Sequence, residues 1–110
     1  MKLFVDDIRN PPDDSWQLVA RNYVDAISFM KCFDVTVVSL DHDLGTGQSG
    51  YDIAKWIEEQ VLLHKIQAPA IICHSQNPVG KKNILDAAKS INRILDVNRF
   101  VNEQILEDEK

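Results

Sequence analysis

Three short apolar runs, each ending abruptly in charged, imidazole or hydroxyl side chains, constrain the fold of this chain most. They are LFVDDIR at residues 3–9, VVSLDHDLG at 37–45 and AIICHSQNP at 70–78. Strands of a parallel sheet are buried on both faces and therefore read as continuous apolar runs. Their carboxyl ends open into the crevice where ligands bind. The polar residues expected on that rim are Asp6, Asp7, Asp41, His42, Asp43, His74 and Ser75.

The bulk composition indicates one small globular domain with a single core. The chain has 110 residues, of which 45% are hydrophobic, and a formal net charge of −5. General nucleic-acid binding needs clustered Lys and Arg, so we expect none, although a few local cations suffice for a small phosphate ligand. We expect no membrane association, because no apolar run approaches the roughly 18 residues of a membrane span. Cys32 and Cys73 lack metal-binding spacing, and no signal peptide is evident, which favours a cytoplasmic location.

Turn and strand signals divide the chain into alternating elements. The segment Asn10-Pro11-Pro12 excludes regular structure after the first strand, because proline removes a backbone donor and restricts the residue before it. We predict strands over residues 2–5, 16–20, 35–40 and 69–73. Helices between and after them predict an α/β fold, with a mostly parallel sheet flanked by helices.

Capping residues and apolar spacing predict the helices. The first two cover about residues 23–32 and 51–64, and Ser49 and Asp52 have capping-box spacing at the start of the second. Pro78 begins the third.

The third helix carries an apolar face that the sequence places at Ile84, Ala88, Ile91 and Leu95, with the spacing of one helix face. The signal weakens beyond residue 96. We therefore predict a domain over residues 1–96, and residues 97–110 as an edge strand or a helical tail ending in an acidic stretch.

The order of the polar clusters resembles the receiver domains of two-component signalling, which have a flavodoxin-like fold. The acidic pair Asp6-Asp7 after the first strand, Asp41 after the third and Ser75 after the fourth fall in receiver order. The chain departs from that pattern in three ways. The first receiver helix is expected to be lost, the Lys-Pro after a fifth strand is absent, and two histidines are added.

Those departures resemble a divergent group, the cyclic-phosphate-processing receiver-like domains, over about residues 3–90. The shared motifs are DD.R.PP at Asp6 to Pro12, SLDHDLG at Ser39 to Gly45, GYD at Gly50 to Asp52, and HS.NPVG at His74 to Gly80. The resemblance implies a phosphoesterase, a cyclic phosphodiesterase acting on cyclic nucleotides or on ADP-ribose cyclic phosphates.

His42 and His74 are the candidate catalytic residues. With a receiver-like strand order of 2-1-3-4, the third and fourth strands lie about 4.8 Å apart, and the two imidazoles end side by side. A neutral imidazole takes a proton from water while a protonated one donates to the leaving hydroxyl. The alternative is that each is a hydrogen-bonded structural histidine. Because strand side chains alternate faces, His42 and Asp41 point the same way only if the strand has already ended.

Four carboxylates are candidate metal ligands: Asp6, Asp7, Asp41 and Asp43. Crowded on one rim they repel one another, and Mg²⁺ or another divalent cation relieves the repulsion while holding phosphate oxygens. The alternative is that some of them orient the histidines or cap turns.

Six residues are candidate phosphate ligands: Arg9, Gly45, Gly47, Ser75, Asn77 and Lys81. A guanidinium binds phosphate bidentately, although Arg9 has the alternative of a salt bridge to Asp7 or Asp43. The other candidates precede or begin two helices, whose amino-terminal amides attract anions. For Lys81, a solvated surface lysine is an equal alternative.

Two rival functions use the same residues. In the first, Asp41 accepts a phosphoryl group and the domain acts as a regulatory module, although the missing lysine counts against this. In the second, the domain binds a cyclic nucleotide without turning it over.

Overall fold

The computed structural model describes residues 1–45 and 47–108. Its elements, in chain order, are β1 (Lys2–Val5), β2 (Leu18–Ala20), α1 (Tyr23–Cys32), β3 (Val37–Leu40), α2 (Gly50–Leu62), β4 (Ala70–Cys73) and α3 (Pro78–Asp108). The four strands form one parallel sheet in the order β2-β1-β3-β4. The predicted α/β fold and the receiver-like strand order are confirmed.

Residues 6–17, which join β1 to β2, contain no helix. This connection is parallel, and a parallel crossover ordinarily carries a helix. The predicted loss of the first receiver helix is therefore confirmed. Its consequence is that one face of the sheet carries an irregular segment in place of a helix and stays partly open.

The three helices pack on the other face. Leu3 and Val5 of β1 and Val38 and Leu40 of β3 are fully buried there, in one cluster with apolar side chains from all three helices. The alternate side chains point the opposite way, as strand geometry requires. Phe4 meets the edge of Trp16, with ring centroids 5.6 Å apart. On this open face, Ile72 of β4 remains 48% exposed.

Helix α3 is longer than the rest of the domain requires. The helix runs without interruption past residue 96. The segment that follows residue 96 is therefore helical, which is one of the two predicted alternatives. Its buried stripe is Ile84, Ala87 and Ile91. The predicted stripe was wrong by one position at Ala88 and Leu95, because spacings of three and four residues both keep a side chain on one helix face.

Within the part of the chain that the structure describes, no helix combines the length and apolar character needed to cross a membrane.

Candidate functional site

Asp6 organises the rim at the carboxyl end of β1. It is 1% exposed, and its Oδ1 accepts hydrogen bonds from the backbone N–H groups of Ile8 at 2.9 Å and Arg9 at 2.7 Å. Burial alone raises the pKa of Asp6. These two hydrogen bonds, the His74 ring and the Arg9 charge outweigh burial and hold the pKa below its ordinary value. The carboxylate is therefore a fixed anion.

Arg9 is the cation of the acidic cluster. Its Nε lies 3.1 Å from Oδ2 of Asp6, and its Nη2 lies 3.7 Å from Oδ2 of Asp41. The sequence suggested Asp7 or Asp43 as salt-bridge partners, and the structure shows Asp6 and Asp41 instead. The Arg9 side chain is still 48% exposed.

Arg21 holds the same loop from β2, a role that the sequence did not reveal. Its Nη1 donates to the backbone oxygens of Asp6 at 3.2 Å and Arg9 at 2.6 Å. Its Nη2 donates to Oδ1 of Asn10 at 2.6 Å. The turn that presents Arg9 is therefore fixed from within by Asp6 and from outside by Arg21.

His74 is held on three sides. Its Nε2 lies 3.0 Å from Oδ2 of Asp6, and its Nδ1 lies 2.7 Å from Oγ of Ser39. Its ring stacks on Phe4, with centroids 4.4 Å apart and planes inclined by 11°. The imidazole therefore has one orientation, on the open face of the sheet.

His42 occupies a different environment. Its Nδ1 lies 3.1 Å from Oδ1 of Asp43, and its ring lies so close to Gly80 of α3 that a Cβ there would overlap it. Residue 42 follows the end of β3 at Leu40, so the loop after the strand, and not strand alternation, sets where its ring points. The two imidazoles have different hydrogen-bond partners, and their pairing across one phosphorus stays a prediction.

Two clefts meet at Arg9. The polar cleft, of about 370 Å³, is lined by Asp6, Asp7, Ile8, Arg9, Asp41, Asp43, Gln76 and Asn77. The aromatic cleft, of about 390 Å³, is lined by Phe4, Arg9, Asn10, Pro12, Trp16, Ser39, Ile72 and His74. The lining of these two clefts includes His74 but not His42.

Three of the four predicted metal ligands come together. Oxygens of Asp6, Asp7 and Asp41 all lie within 4.8 Å of one another, whereas Asp43 bonds His42. A carboxylate offers about four acceptor positions, and those of Asp6 already face Ile8 N, Arg9 N, Arg9 Nε and His74 Nε2. With Arg9 in this position the cluster does not fit a three-carboxylate Mg²⁺ site. Magnesium binding stays a prediction.

The predicted phosphate ligands are only partly gathered. Arg9 and Asn77 line the polar cleft. Ser75 is buried and accepts a hydrogen bond from Asn77 N at 3.1 Å, while Lys81 is exposed.

The amino terminus of α2 is already satisfied. Gly50 N donates to the His42 carbonyl at 2.9 Å, and Ser49 and Asp52 form the predicted capping box. Gly45 and Gly47 adopt positive φ angles of 80° and 95°, which glycine accommodates readily, so a turn requirement explains them without a ligand.

A family comparison adds to this geometry. The family model of the cyclic-phosphate processing receiver domain matches residues 1–90. The chain belongs to this family. No curated protein and no solved structure matches the chain. This cyclic-phosphate processing receiver domain thus has a four-stranded parallel sheet with its candidate site where receiver domains carry their acidic cluster.

The motif glycines of this receiver domain have a steric role. A Cβ at Gly50 would overlap the Asp41 carbonyl, and one at Gly80 would overlap the His42 ring. At these two positions α2 and α3 therefore approach the loop after β3 more closely than a residue with a Cβ would allow. Sequence reasoning missed Ser39 and Phe4 as site residues. Ser39 begins the SLDHDLG motif, but the only signal for its role was a polar residue inside an apolar run.

Proposed function

We propose that this receiver domain binds a cyclic phosphate where its two clefts meet and hydrolyses it to a phosphomonoester. The observation that carries the proposal is the placement of Arg9. Its half-exposed side chain lines both clefts, beside a histidine held by a buried carboxylate. A phosphate there has a cation for its charge and an imidazole for its proton transfers.

The aromatic cleft suits the organic part of such a substrate. Its walls include Trp16, Pro12 and Ile72, which offer apolar surface for a sugar or a base. The substrate class that the family resemblance implies, a cyclic nucleotide or an ADP-ribose cyclic phosphate, has such a part. Gln76 and Asn77, on the polar side, supply amide groups for phosphate oxygens.

We assign the proton transfers to His74. Its environment fixes its orientation, as general acid–base catalysis requires, and it lines a cleft that a substrate can enter. A catalytic role for His42 stays a prediction, since its ring contacts Gly80 and Asp43 instead.

The test is a ³¹P NMR assay with 2′,3′-cyclic nucleotides, 3′,5′-cyclic nucleotides and ADP-ribose cyclic phosphate, each with Mg²⁺ and with EDTA. We expect at least one to give a monoester resonance, and His74→Asn to abolish it. His64→Asn is the matched control, because His64 is exposed and has a positive φ of 57° that asparagine also tolerates. Line broadening without conversion identifies a non-catalytic binder, and an unchanged spectrum across the panel contradicts the proposal.

A phosphoryl acceptor is the second candidate function. It is favoured by the three carboxylates of Asp6, Asp7 and Asp41, which lie together in receiver order. Its test is the mass of the intact protein after incubation with acetyl phosphate. A phosphoryl adduct that Asp41→Asn eliminates supports this candidate, and an unmodified wild-type protein contradicts it.

A further inference from the structure

A continuous chain of hydrogen bonds links Ser39 on β3 to Asp6 after β1 through the ring of His74. Ser39 Oγ lies 2.7 Å from His74 Nδ1, and His74 Nε2 lies 3.0 Å from Asp6 Oδ2. Ser39 lies on β3, and Asp6 and His74 directly follow its two neighbours, β1 and β4. His74 is separated from Ser39 by 35 positions in the sequence and from Asp6 by 68. Only the fold brings them together.

The direction of these hydrogen bonds follows from the chemistry of the partners. An ionised carboxylate only accepts, so Nε2 of His74 carries the proton that faces Asp6. In the neutral ring Nδ1 then has a lone pair, and the Ser39 hydroxyl is the group that donates to it. Asp6 thus selects the tautomer in which His74 accepts a proton from Ser39.

This arrangement has the logic of an activated serine nucleophile: a hydroxyl, an imidazole that takes its proton, and a buried carboxylate that orients the imidazole. Stacking on Phe4 fixes the ring plane as well. Asp6 also accepts hydrogen bonds from the backbone N–H groups of Ile8 and Arg9 and lies 3.1 Å from Arg9 Nε, so an ionised carboxylate matches the donors around it.

The serine also faces a space that a substrate can occupy. Ser39 is 3% exposed, yet it lines the aromatic cleft together with His74 and Arg9. A phosphorus atom that reaches Ser39 therefore has the Arg9 guanidinium on the same cleft wall to neutralise charge on its oxygens.

We propose that Ser39 is the nucleophile of this site and that the reaction passes through a covalent phosphodiester on its Oγ. The proposal rests on the proposed function and adds the attacking group. Ser39 Oγ bonds to phosphorus while its proton moves to His74 Nδ1. One P–O bond of the cyclic ester breaks, and its oxygen takes that proton from His74. Water then attacks phosphorus with proton transfer to His74, and Ser39 leaves and recovers its proton.

The alternative is a structural role, in which Ser39 only positions His74 and His74 activates water directly. The two readings differ in one observable, the covalent adduct. With both ring nitrogens already facing Ser39 and Asp6, water reaches His74 only after the serine hydrogen bond breaks. Attack by Ser39 needs no such rearrangement.

The experiment uses a fluorophosphonate, which phosphonylates an activated serine with loss of fluoride and so requires no knowledge of the natural substrate. The 110-residue chain is incubated with the probe, and the adduct is located by peptide mass spectrometry. We expect the adduct on Ser39, and labelling at least about 100-fold slower in His74→Asn, the size of a general-base contribution. Ser28→Ala is the control, because Ser28 is exposed on α1 and its loss leaves labelling unchanged.

The turnover of Ser39→Ala supplies the second readout, with a thermal melt to verify folding. We expect at least about a 100-fold loss of cyclic-phosphate hydrolysis. Wild-type turnover retained in Ser39→Ala overturns the nucleophile and leaves the proposed function intact, and so does a wild-type protein that hydrolyses substrate but is not labelled on Ser39. Labelling of Ser39 in a protein that hydrolyses no cyclic phosphate supports the nucleophile and removes the proposed function. If Ser39→Ala fails to fold, the position of the fluorophosphonate adduct in the wild-type protein still decides whether Ser39 is the nucleophile.

Discussion

Arg9 contacts the Asp6 carboxylate twice, through its backbone N–H at 2.7 Å from Oδ1 and through its Nε at 3.1 Å from Oδ2. The first contact shapes the turn after β1, and the second orients the guanidinium above the rim. One buried acid therefore builds the loop and places the cation of the site. The stability of the loop and the position of the guanidinium are therefore coupled through Asp6.

We predict that Asp6→Asn destabilises the domain by about 1–3 kcal/mol, the cost of leaving buried hydrogen-bonding groups without their partners. Asparagine keeps the size of the side chain but replaces one acceptor oxygen with a donor, which faces the N–H groups of Arg9 or His74. Urea denaturation measures the loss. Asp14→Asn is the control, since Asp14 is exposed and such substitutions change stability by no more than about 0.5 kcal/mol. Equal stabilities of the two variants would contradict the prediction.

The same carboxylate predicts how stability depends on pH. The pKa of Asp6 is lowered by its hydrogen bonds and by Arg9, which outweigh its burial. A lowered folded-state pKa means that the unfolded state binds protons first as the pH falls. The contribution of Asp6 is therefore fully present above about pH 4, the ordinary aspartate range, and is lost below it.

Denaturation curves between pH 2.5 and 7 test this dependence. We expect the wild-type protein to lose stability more steeply below about pH 4 than Asp6→Asn, which has no carboxyl group to protonate at this position. Parallel acid limbs in the two proteins would show that Asp6 is not responsible.

Much of the fold could be predicted because its determinants are local. Buried parallel strands are continuous apolar runs, and the capping box at Ser49 and Asp52 forms as the spacing indicated. The sequence does not predict which face of the sheet the helices cover, because three short strands that are apolar on both faces do not distinguish one face from the other. The predicted stripe on α3 fell on Ala88 in place of Ala87 for a different reason, since spacings of three and four residues both keep a side chain on one helix face.

The candidate site was less accessible from the sequence, because its contacts are tertiary. That Asp6, Asp7 and Asp41 share a rim followed from strand order alone. The partners of His74 could not be predicted in this way, since Ser39 lies 35 positions away and was interpreted as an interior strand residue. The loop after β3 sets where His42 points, and close packing against Gly80 decides it.

We predict that Gly80→Ala destabilises the domain by about 1–3 kcal/mol, because a Cβ there overlaps the His42 ring in a packed interface. His42→Ala removes the overlapping ring. The double variant should therefore lose less stability than the sum of the single variants, with a coupling of about 0.5–3 kcal/mol. Chemical denaturation of the four proteins measures the cycle, and additive effects would show that the two residues do not meet.

Arg9 lies against Asp6 and Asp41 of the acidic cluster, where a divalent cation would have to compete with it. We predict that Arg9→Gln binds Mg²⁺ at least about tenfold more tightly than the wild type. Removal of the guanidinium frees one acceptor position on Asp6 and leaves the repulsion among the carboxylates to be relieved by the metal. Calorimetric titration with MgCl₂ gives both affinities. Lys81→Gln makes the same charge change outside the cluster and is expected to leave the affinity unchanged, so an equal gain in both variants would rule out competition at the site.

The end of the folded unit can be separated from the end of the family match. The match ends at residue 90, but Ile91 is 2% exposed in the core, whereas Val97 and Phe100 are 60% and 61% exposed. Truncation after residue 96 should therefore move the thermal midpoint by less than about 5 °C, since little buried surface is lost. Truncation after residue 90 removes Ile91 and should cost about 2–5 kcal/mol, as deletion of a buried isoleucine does. Two chains of equal stability would mean that Ile91 contributes no packing, and a large loss in the longer one would place residues 97–110 within the cooperative fold.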